Sequence, residues 1–404
     1  MQFSDYISNA KMAGRIFLLS SPRLIWKFVN NFGWKSYLSM NRFEKRLEKG
    51  EPFFPAFYMV SITEACNLGC QGCWVSQNGR RHLTPKQLDG IIREGKKTGS
   101  YFYGLLGGEP LMYNGLFEVL EQHPDCYFQI FTNGTLLTDE IAMRMEKLGN
   151  ITPVISIEGL EDESDRRRER SHVFERSMDG LRSCRKAGLI FGAACSICNS
   201  NFDELVSRSY IEQIAKEGAM YLWYYIYRPV GAEAHPEKAL SKEQIRNLRL
   251  FLVEQRKNAP LVLIDTYWDD KGNAICPGAT GMSHHIGPSG AVEFCPPLQL
   301  AKDFLNEDAS NLKEASASEF LEDMRDYVAQ TTRGCILMNH PQDLLVYLKQ
   351  HDAVDTTSRG TVAAEFSLMP CVATHDMEDE PIAEQNPFYR FLKKRYFFGF
   401  GAYG

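Results

Sequence analysis

Short apolar runs alternate with amphipathic stretches along the chain from residue 57 onward. Six of these runs are rich in β-branched and aromatic residues, which is typical of buried strands, and the windows between them carry apolar residues at helical spacing. The predicted strands are Phe57 to Thr63, Tyr101 to Leu106, Tyr127 to Phe131, Pro153 to Ile157, Ile190 to Ile197 and Tyr221 to Tyr227. Repeated βα units predict an α/β fold with a parallel sheet, whose ligands gather at the carboxyl ends of the strands.

Three local signals predict where helices begin. Thr84-Pro85 combines a capping residue with proline in the first turn, and Thr138 precedes two acidic residues that suit a helix start. Ser241 and Gln244 have the spacing of a capping box, and the helix that follows is predicted to run toward Asn258.

The first 54 residues have a different pattern from the rest of the chain. Nine Lys or Arg residues are interleaved there with aromatic and aliphatic residues such as Phe17, Trp26, Phe28 and Trp34. The pattern predicts two short basic amphipathic helices. Such helices either lie on an anionic membrane surface or pack on their own domain with the charges in water, and both readings stay open.

Composition limits the class of protein. The chain has 404 residues, 44% hydrophobic and 24% charged residues, and a net charge of -6, which is typical of a globular protein and disfavours a general nucleic-acid binder. Eleven cysteines accompany no recognisable secretory leader and no apolar run of roughly 18 residues. We therefore expect a reducing, cytoplasmic location, with peripheral membrane contact as an option.

The strongest chemical signal is the run Cys66-x3-Cys70-x2-Cys73 directly after the first predicted strand. Three thiolates at this spacing suit an iron–sulfur cubane in which one iron keeps an open position. Zinc or free thiols are the alternative, but a zinc site normally has a second Cys or His pair nearby, and none follows within about fifty residues.

This cysteine run resembles the signature of the radical S-adenosylmethionine (SAM) enzymes. The resemblance implies a partial (β/α)6 TIM barrel with a [4Fe-4S] cluster whose open iron binds the amino and carboxylate groups of SAM. It further implies reductive cleavage of SAM to a 5'-deoxyadenosyl radical, which abstracts hydrogen from an unreactive C–H position of the substrate. In such a site the cofactors carry the chemistry and the protein orients it.

Several strand-end segments also resemble family motifs. Gly107-Gly108-Glu109-Pro110 looks like the GGEP motif, and Asn133 lies in a segment similar to T-N-G. The resemblance implies a cofactor-binding set at the barrel mouth: Gly107, Gly108, Glu109, Pro110, Asn133, Ser156, Glu158, Arg168, Ser196 and Val230. Plain turns at the glycines, and a solvated basic helix around Arg168, are the alternative readings.

Two features qualify the resemblance. Relatives usually carry an aromatic residue just before the third cysteine, whereas this chain has Gly72 there and Trp74 one place after it, so adenine packing is expected to differ. Four further cysteines are expected to be buried core residues, because unliganded cysteine is among the most buried residue types. They are Cys126, Cys184, Cys195 and Cys198.

A second group of cysteines follows the predicted barrel. Cys276, Cys295, Cys335 and Cys371, with a predicted hairpin turn at residues 286–290, resemble the auxiliary-cluster extension of the SPASM and twitch subgroups, the twitch form being the better match. The resemblance implies an auxiliary iron–sulfur cluster with Cys371 as a possible fourth ligand. Other candidate ligands are His284, His285 and His340. The alternative is that these four cysteines are simply buried.

The predicted organisation is a helical segment (residues 1–54), a radical SAM barrel (55–260), an auxiliary-cluster region (261–345) and a C-terminal extension with an aromatic and basic tail (346–404). The predicted function is oxidation, cross-linking or group transfer on a peptide or small molecule, with an electron donor such as flavodoxin or ferredoxin and no nucleic acid. A lipid substrate at a membrane surface is one alternative. An iron–sulfur electron carrier or redox sensor without SAM chemistry is another.

Overall fold

The chain is described here by a computed structural model that covers residues 14–15, 18–52, 54–75, 79–378 and 380–395. The predictions that concern Phe17 and the aromatic tail from residue 396 onward fall outside these residues.

All six predicted strands are present, to within two residues at either end. They are β1 Phe57–Thr63, β2 Phe102–Gly107, β3 Tyr127–Thr132, β4 Ile151–Ser156, β5 Gly192–Ile197 and β6 Tyr221–Ile226. Each pairs in parallel with the next along the chain. The predicted partial barrel of six βα units is therefore confirmed.

Further strands follow, some of which extend the sheet on both sides. They are β7 Val262–Ile264, β8 Ser283–Ile286, β9 Ala291–Glu293, β10 Leu300–Ala301, β11 Asp303–Phe304 and β12 Val354–Asp355. β7 pairs in parallel with β6, and β8 in parallel with β1. The order β11-β9-β8-β1-β2-β3-β4-β5-β6-β7 makes a ten-stranded sheet, and β10 pairs with β12 separately. β8 and β9 form the predicted hairpin.

Helices separate and cover the strands, and the predicted caps are in place. Thr84 and Ser241 form capping boxes, and the side chain of Thr138 accepts a hydrogen bond from the backbone of Ile141. The helices are α1 Pro22–Lys27, α2 Lys35–Glu48, α3 Pro85–Thr98, α4 Leu116–Glu121, α5 Asp139–Leu148, α6 Glu161–Arg168, α7 Val173–Lys186, α8 Phe202–Leu205, α9 Arg208–Lys216, α10 Lys242–Gln255, α11 Leu312–Ser316, α12 Glu319–Thr331, α13 Ile336–Asn339, α14 Pro341–Gln350, α15 Val362–Leu368 and α16 Pro387–Arg395.

The N-terminal segment packs against the inner face of the sheet. A π-helical stretch, Phe28–Trp34, joins α1 to α2, so the two predicted helices form one nearly continuous helical run. The ring of Phe28 meets Tyr127 edge-on at 5.7 Å, and the ring of Phe32 meets Phe102 at 5.2 Å. Of the two readings of this segment, packing on its own domain is therefore realised for these apolar residues.

Trp26, Val29 and Trp34 remain exposed on the outer side of this run. Among the described residues, no helix is both long enough and apolar enough to cross a bilayer.

Candidate active site and second cysteine cluster

A cavity of about 410 Å³ lies at the carboxyl ends of the parallel strands. All three cysteines of the first run line it, together with seven of the ten predicted cofactor-binding residues. Those seven are Gly107, Gly108, Asn133, Ser156, Glu158, Arg168 and Ser196. Trp74 and Tyr225 add aromatic surface to the wall. The topology thus brings together side chains that are spread over more than a hundred residues of sequence.

The two glycines of the predicted GGEP motif hold the cluster loop against β2. A Cβ on Gly107, which has φ +127°, would lie 2.3 Å from the carbonyl oxygen of Thr63, and one on Gly108 would lie 2.2 Å from that of Ala65. The backbone amide of Gly108 donates to Thr63 at 2.7 Å. Only glycine permits this approach, so both residues are needed to seat the loop that carries Cys66.

Glu109 organises loops and does not line the cavity. The side chain is fully buried, and its carboxylate accepts hydrogen bonds from the backbone amides of Leu111 and Asn133, at 3.0 and 2.8 Å, and from the Thr132 hydroxyl at 2.7 Å. The motif predicts that Glu109 contacts a ligand. In this structure its carboxylate instead fixes the loop that carries Asn133. Pro110 and Val230 are also buried, and neither lines this cavity.

A buried charge cluster forms the wall opposite the glycines. Arg168 donates to Cys70 Sγ at 3.4 Å and to Glu158 at 3.0 Å, while Arg167 donates to the second oxygen of Glu158 at 2.5 Å. Burial alone lowers the pKa of Arg168, but Cys70 and Glu158 outweigh burial and raise it above its ordinary value. The reading of Arg168 as part of a solvated basic helix is therefore wrong, because its guanidinium is buried against a cysteine sulfur.

The missing aromatic residue before Cys73 has a structural explanation. Gly72 has φ +66°, and a Cβ there would lie 2.1 Å from the hydroxyl of Tyr227. Tyr227 follows β6 and also stacks under the guanidinium of Arg167 at 5.6 Å. The space that a side chain at position 72 would enter is filled by an aromatic residue from another part of the chain.

The first cysteine cluster, Cys66, Cys70 and Cys73, suits an iron–sulfur centre. Burial raises the pKa of the Cys66 thiol to about 11 and that of Cys73 to about 12. Ligating thiols must be deprotonated, so a positive centre is required to stabilise all three as thiolates. Among the described residues, no three His, Cys, Asp or Glu side chains are close enough to hold a single metal ion. Three thiols beside an open cavity and a buried arginine fit a larger, multi-iron group.

The second cysteine cluster consists of Cys276, Cys295 and Cys335. These residues surround a cavity of only about 20 Å³, which Arg228 and His375 also line. Burial raises the pKa of the Cys276 thiol to about 11 and lowers that of His375 to about 4. As at the first cluster, three thiols next to a buried arginine fit an iron–sulfur group.

Cys371 is not part of the second cysteine cluster, which corrects the predicted fourth ligand. The side chain is exposed and does not line the cavity. His375, four residues further on, reaches the cavity instead, and its Nε2 contacts the carbonyl of Ile275 at 2.8 Å. The sequence analysis did not identify His375. The only sequence feature that points to it is its position four residues after Cys371.

The three histidines considered as alternative ligands have other partners. His284 Nε2 contacts the carbonyl of Ser316 at 3.1 Å, and His340 faces Asp343 at 3.3 Å. His285 lies between Ser61 and Glu293 in the sheet. None of the three lines the cavity of the second cysteine cluster.

A buried hydrogen-bond chain connects the two cysteine regions. Ser61 Oγ lies 2.7 Å from His285 Nε2, and His285 Nδ1 lies 2.5 Å from Glu293, which also accepts from Thr356. Ser61 lies on β1, which leads to Cys66, and Glu293 lies on β9, which leads to Cys295. The chain therefore fixes the strand that leads to one cluster relative to the hairpin that leads to the other.

A network of buried charges lies next to the second cysteine cluster and holds the segment that carries His375. Asp265 pairs with Lys393 of α16 at 2.8 Å and with Arg256, the residue directly after α10, at 2.5 Å. Lys393 also donates to the carbonyl of Trp268, whose indole N–H donates to the carbonyl of His375 at 2.8 Å. The C-terminal helix is thereby tied to the segment that carries His375.

Comparison with known sequences agrees with this site. Residues 60–205 match the sequence model of the radical SAM superfamily. Sporulation killing factor maturation protein SkfB of Bacillus subtilis (strain 168) is 27% identical over 261 residues, 62% of this chain and 58% of SkfB. AdoMet-dependent heme synthase of Methanosarcina barkeri (strain Fusaro / DSM 804) is 28% identical over 211 residues, 50% of this chain and 60% of that protein. The chain thus spans about three fifths of the length of these curated relatives.

Solved structures match the fold over more than the βα units. Streptococcus suis SuiB bound to precursor peptide SuiA aligns with a TM-score of 0.58 at 16% identity, covering 70% of each chain. Native anSMEcpe with bound AdoMet and Cp18Cys peptide aligns with a TM-score of 0.53 at 18% identity, covering 66% of this chain and 81% of that one. The resemblance predicted from the cysteine run is confirmed: residues 60–205 match the radical SAM superfamily, and the curated relatives named above are similar over half of this chain or more.

Proposed function

We propose that the chain binds a [4Fe-4S] cluster through Cys66, Cys70 and Cys73, binds SAM beside it, and uses both to abstract hydrogen from an unreactive C–H position. A reduced cluster with one open iron supplies the electron that cleaves the sulfonium of SAM. The observation that carries the proposal is the convergence of these three cysteines and seven strand-end residues on one cavity of about 410 Å³.

The residues around this cavity have separable tasks. Arg168 places a positive charge beside Cys70 Sγ, which would offset part of the negative charge of a bound cluster. Glu158 holds Arg168 and Arg167 in place. Ser156 and Ser196 line the same wall from neighbouring strands and offer hydroxyl groups to a ribose. Glu109 fixes the loop that presents Asn133.

We further infer that Cys276, Cys295 and Cys335 hold the auxiliary cluster of a SPASM/twitch-like extension. Their sulfurs face a small closed cavity beside Arg228. Burial alone lowers the pKa of Arg228, and Tyr267, Cys335 and Cys295 raise it above its ordinary value, so the arginine carries its charge at this site. A buried cation next to three thiolates stabilises a negatively charged cluster.

A peptide is the substrate class that the comparisons favour. SkfB is named as a maturation protein, and the SuiB and anSMEcpe structures include peptides. A small molecule is the alternative substrate class for the same site, since a heme synthase is also similar to this chain. An electron donor such as flavodoxin or ferredoxin would reduce the cluster.

A lipid substrate at a membrane surface is the second candidate. It is favoured by the exposed side chains of Trp26, Val29 and Trp34 on a basic helical run. The third reading, an electron carrier or sensor without SAM chemistry, leaves the 410 Å³ cavity and its polar strand ends without a role. Measured SAM binding separates this reading from the first two.

The test combines iron and sulfide content with electron paramagnetic resonance on anaerobically reconstituted protein. Wild type is compared with a Cys66→Ala/Cys70→Ala/Cys73→Ala variant and with a Cys276→Ala/Cys295→Ala/Cys335→Ala variant, each with and without SAM. We expect about eight irons in wild type and about four in each variant, with SAM changing the spectrum only where the first cluster is intact.

Two results would count against the proposal. Reduced wild type that neither binds nor cleaves SAM would overturn the radical function. About four irons in wild type, falling to none in the first variant, would remove the auxiliary cluster and leave the second cysteine cluster as buried core.

A further inference from the structure

A second large cavity, of about 340 Å³, lies at the amino ends of the strands, the end of the barrel opposite the cysteines. Phe102, Tyr127 and Tyr221 line it from the sheet. The N-terminal helical run closes it on one side and α16 closes it on another, through Phe28, Phe32, Gly33, Phe388 and Leu392. Both closing segments lie outside residues 60–205, so this cavity is built by parts of the chain beyond the family match.

Two buried polar groups of this cavity have no partner among the described residues. Trp223 is 2% exposed and its indole Nε1 donates to nothing, and Gln129 is 4% exposed with its Oε1 unpaired. Both side chains line the cavity. Buried polar atoms are nearly always hydrogen-bonded, so an unpaired donor and an unpaired acceptor in one cavity point to a missing polar group.

This second cavity, called the lower cavity below, is separate from the cavity of about 410 Å³ beside the first cysteine cluster, called the upper cavity. The ring of Trp223 stacks on Tyr225 with centroids 5.6 Å apart and meets Phe131 edge-on at 6.4 Å. Tyr225 and Phe131 line the upper cavity, whereas Trp223 lines the lower one. An aromatic layer therefore divides the barrel interior into two compartments.

The lining also limits the chemistry of a ligand. Every residue that lines the lower cavity is uncharged, and apart from Gln129, Thr152 and the tyrosine and tryptophan tips the surface is apolar. A carboxylate or phosphate would be buried there without a counter-charge, which is strongly unfavourable. A hydroxyl can satisfy either unpaired atom, because its oxygen accepts from an N–H and its hydrogen can be donated to a carbonyl oxygen.

We propose that the lower cavity is a binding site for a small uncharged molecule with an apolar body and a single hydroxyl group, in the class of medium-chain alcohols. Its volume lies in the range of small-molecule sites, and such sites are mostly apolar with a few placed polar groups. The proposal does not depend on SAM chemistry in the upper cavity.

The test measures binding of 1-decanol and decanoate to the full-length protein by isothermal titration calorimetry at pH 8. We expect 1-decanol to bind, and decanoate, of equal chain length but charged, to bind at least about tenfold more weakly. Trp223→Phe keeps an aromatic ring but removes the indole N–H together with the five-membered ring that carries it, and is expected to weaken 1-decanol binding about fivefold.

A cavity-filling variant locates the site. At Gly33 an added Cβ meets only the Phe28 carbonyl, at 3.9 Å, and Gly33 lines the cavity, so the ring of Gly33→Phe is expected to occupy the cavity and abolish binding. Gly14→Phe is the matched control, because none of the described residues has an atom within 4 Å of a Cβ at that glycine. Circular dichroism of each variant verifies that it folds.

Three outcomes would overturn the proposal. Wild type that binds neither compound has no such site, and equal binding of 1-decanol by Gly33→Phe and wild type would place the alcohol elsewhere. Equal affinity of Trp223→Phe and wild type for 1-decanol would show that the hydroxyl assignment is wrong.

Discussion

The two cysteine clusters share a design but differ in access. Each has three cysteines and a buried arginine, Arg168 in one and Arg228 in the other. The first opens on a cavity of about 410 Å³, and the second encloses about 20 Å³, roughly the space of one water molecule. An open iron needs room for a ligand, whereas a centre that only passes electrons does not. Under the proposed function, this difference in available space favours substrate chemistry at the first cluster.

The clusters also differ in how the chain assembles them. The first cluster and its cavity wall come mainly from strand ends and loops within residues 60–205. The second gathers Arg228, three cysteines and His375 from separate segments and depends on buried charges directly after α10 and in α16. The second should therefore be more sensitive to changes far from its ligands.

The largest expected effect is that of Asp265→Asn. Asp265 is 1% exposed and pairs with Lys393 and Arg256, so its neutralisation leaves buried cations uncompensated. We expect the free energy of unfolding to fall by about 3–5 kcal/mol, measured by urea denaturation. The control is Glu378→Gln, which breaks an exposed pair with Lys242 and should change stability by less than about 0.5 kcal/mol. Equal effects of the two variants would contradict a structural role for the network.

The same network predicts an acid dependence. Burial alone would raise the pKa of Asp265, but Lys393, Arg256 and Arg249 outweigh burial and hold it well below its ordinary value of 3.8. Its contribution to stability is thus fully present above pH 3.8 and is lost as the pH falls below that value. The difference in unfolding free energy between wild type and Asp265→Asn should shrink by up to about 1.4 kcal/mol per pH unit there. A difference that stays constant down to pH 3 would refute this account.

At the first cluster, Gly108→Ala tests the seating of the cysteine loop. The added Cβ would lie 2.2 Å from the carbonyl oxygen of Ala65, which the backbone must relieve by moving. We expect a loss of about 1–3 kcal/mol of stability and at least tenfold weaker SAM binding, measured by equilibrium dialysis. Gly33→Ala, where the nearest atom is 3.9 Å away, serves as the control. Unchanged SAM binding in Gly108→Ala would mean that the loop position is not critical.

Ser61→Ala tests the hydrogen-bond chain between the two regions. The change leaves His285 Nε2 buried without its partner, and a loss of about 1–3 kcal/mol is expected in urea denaturation. Ser367→Ala, on an exposed helix, removes a comparable hydroxyl that bonds only to the nearby carbonyl of Ala364. The chain would be energetically unimportant if both variants unfolded alike.

The smallest expected effect is that of Cys371→Ser, which should leave iron content unchanged because Cys371 is exposed and lies away from the second cavity. Cys335→Ser is the matched comparison and should lower iron content. Loss of iron in Cys371→Ser would restore Cys371 as a ligand.

The sequence predicts the first cluster much better than the second. Strand spacing and the parallel order of the βα units place Ser156, Glu158 and Ser196 at one mouth without knowledge of any contact, because the topology alone gathers strand ends. Local caps such as Thr84 are equally readable, since their partners lie three residues away.

What the sequence could not supply are contacts between distant segments. The presence of His375 rather than Cys371 at the second cavity, and the loop-fixing role of Glu109, depend on which groups a folded backbone brings close. The lower cavity depends on two terminal segments meeting over the sheet. The spacing of residues within one segment does not predict contacts between segments that are distant in the sequence.

The contact between Gly72 and the Tyr227 hydroxyl has an evolutionary consequence. The two positions exclude each other, since a side chain at 72 and the tyrosine ring at 227 require the same volume. A substitution that introduced the family's usual aromatic residue at 72 would be deleterious first and tolerable only after position 227 had become small. The order of the two changes is therefore constrained, and grafting that one residue from a relative into this chain should fail unless both positions are exchanged together.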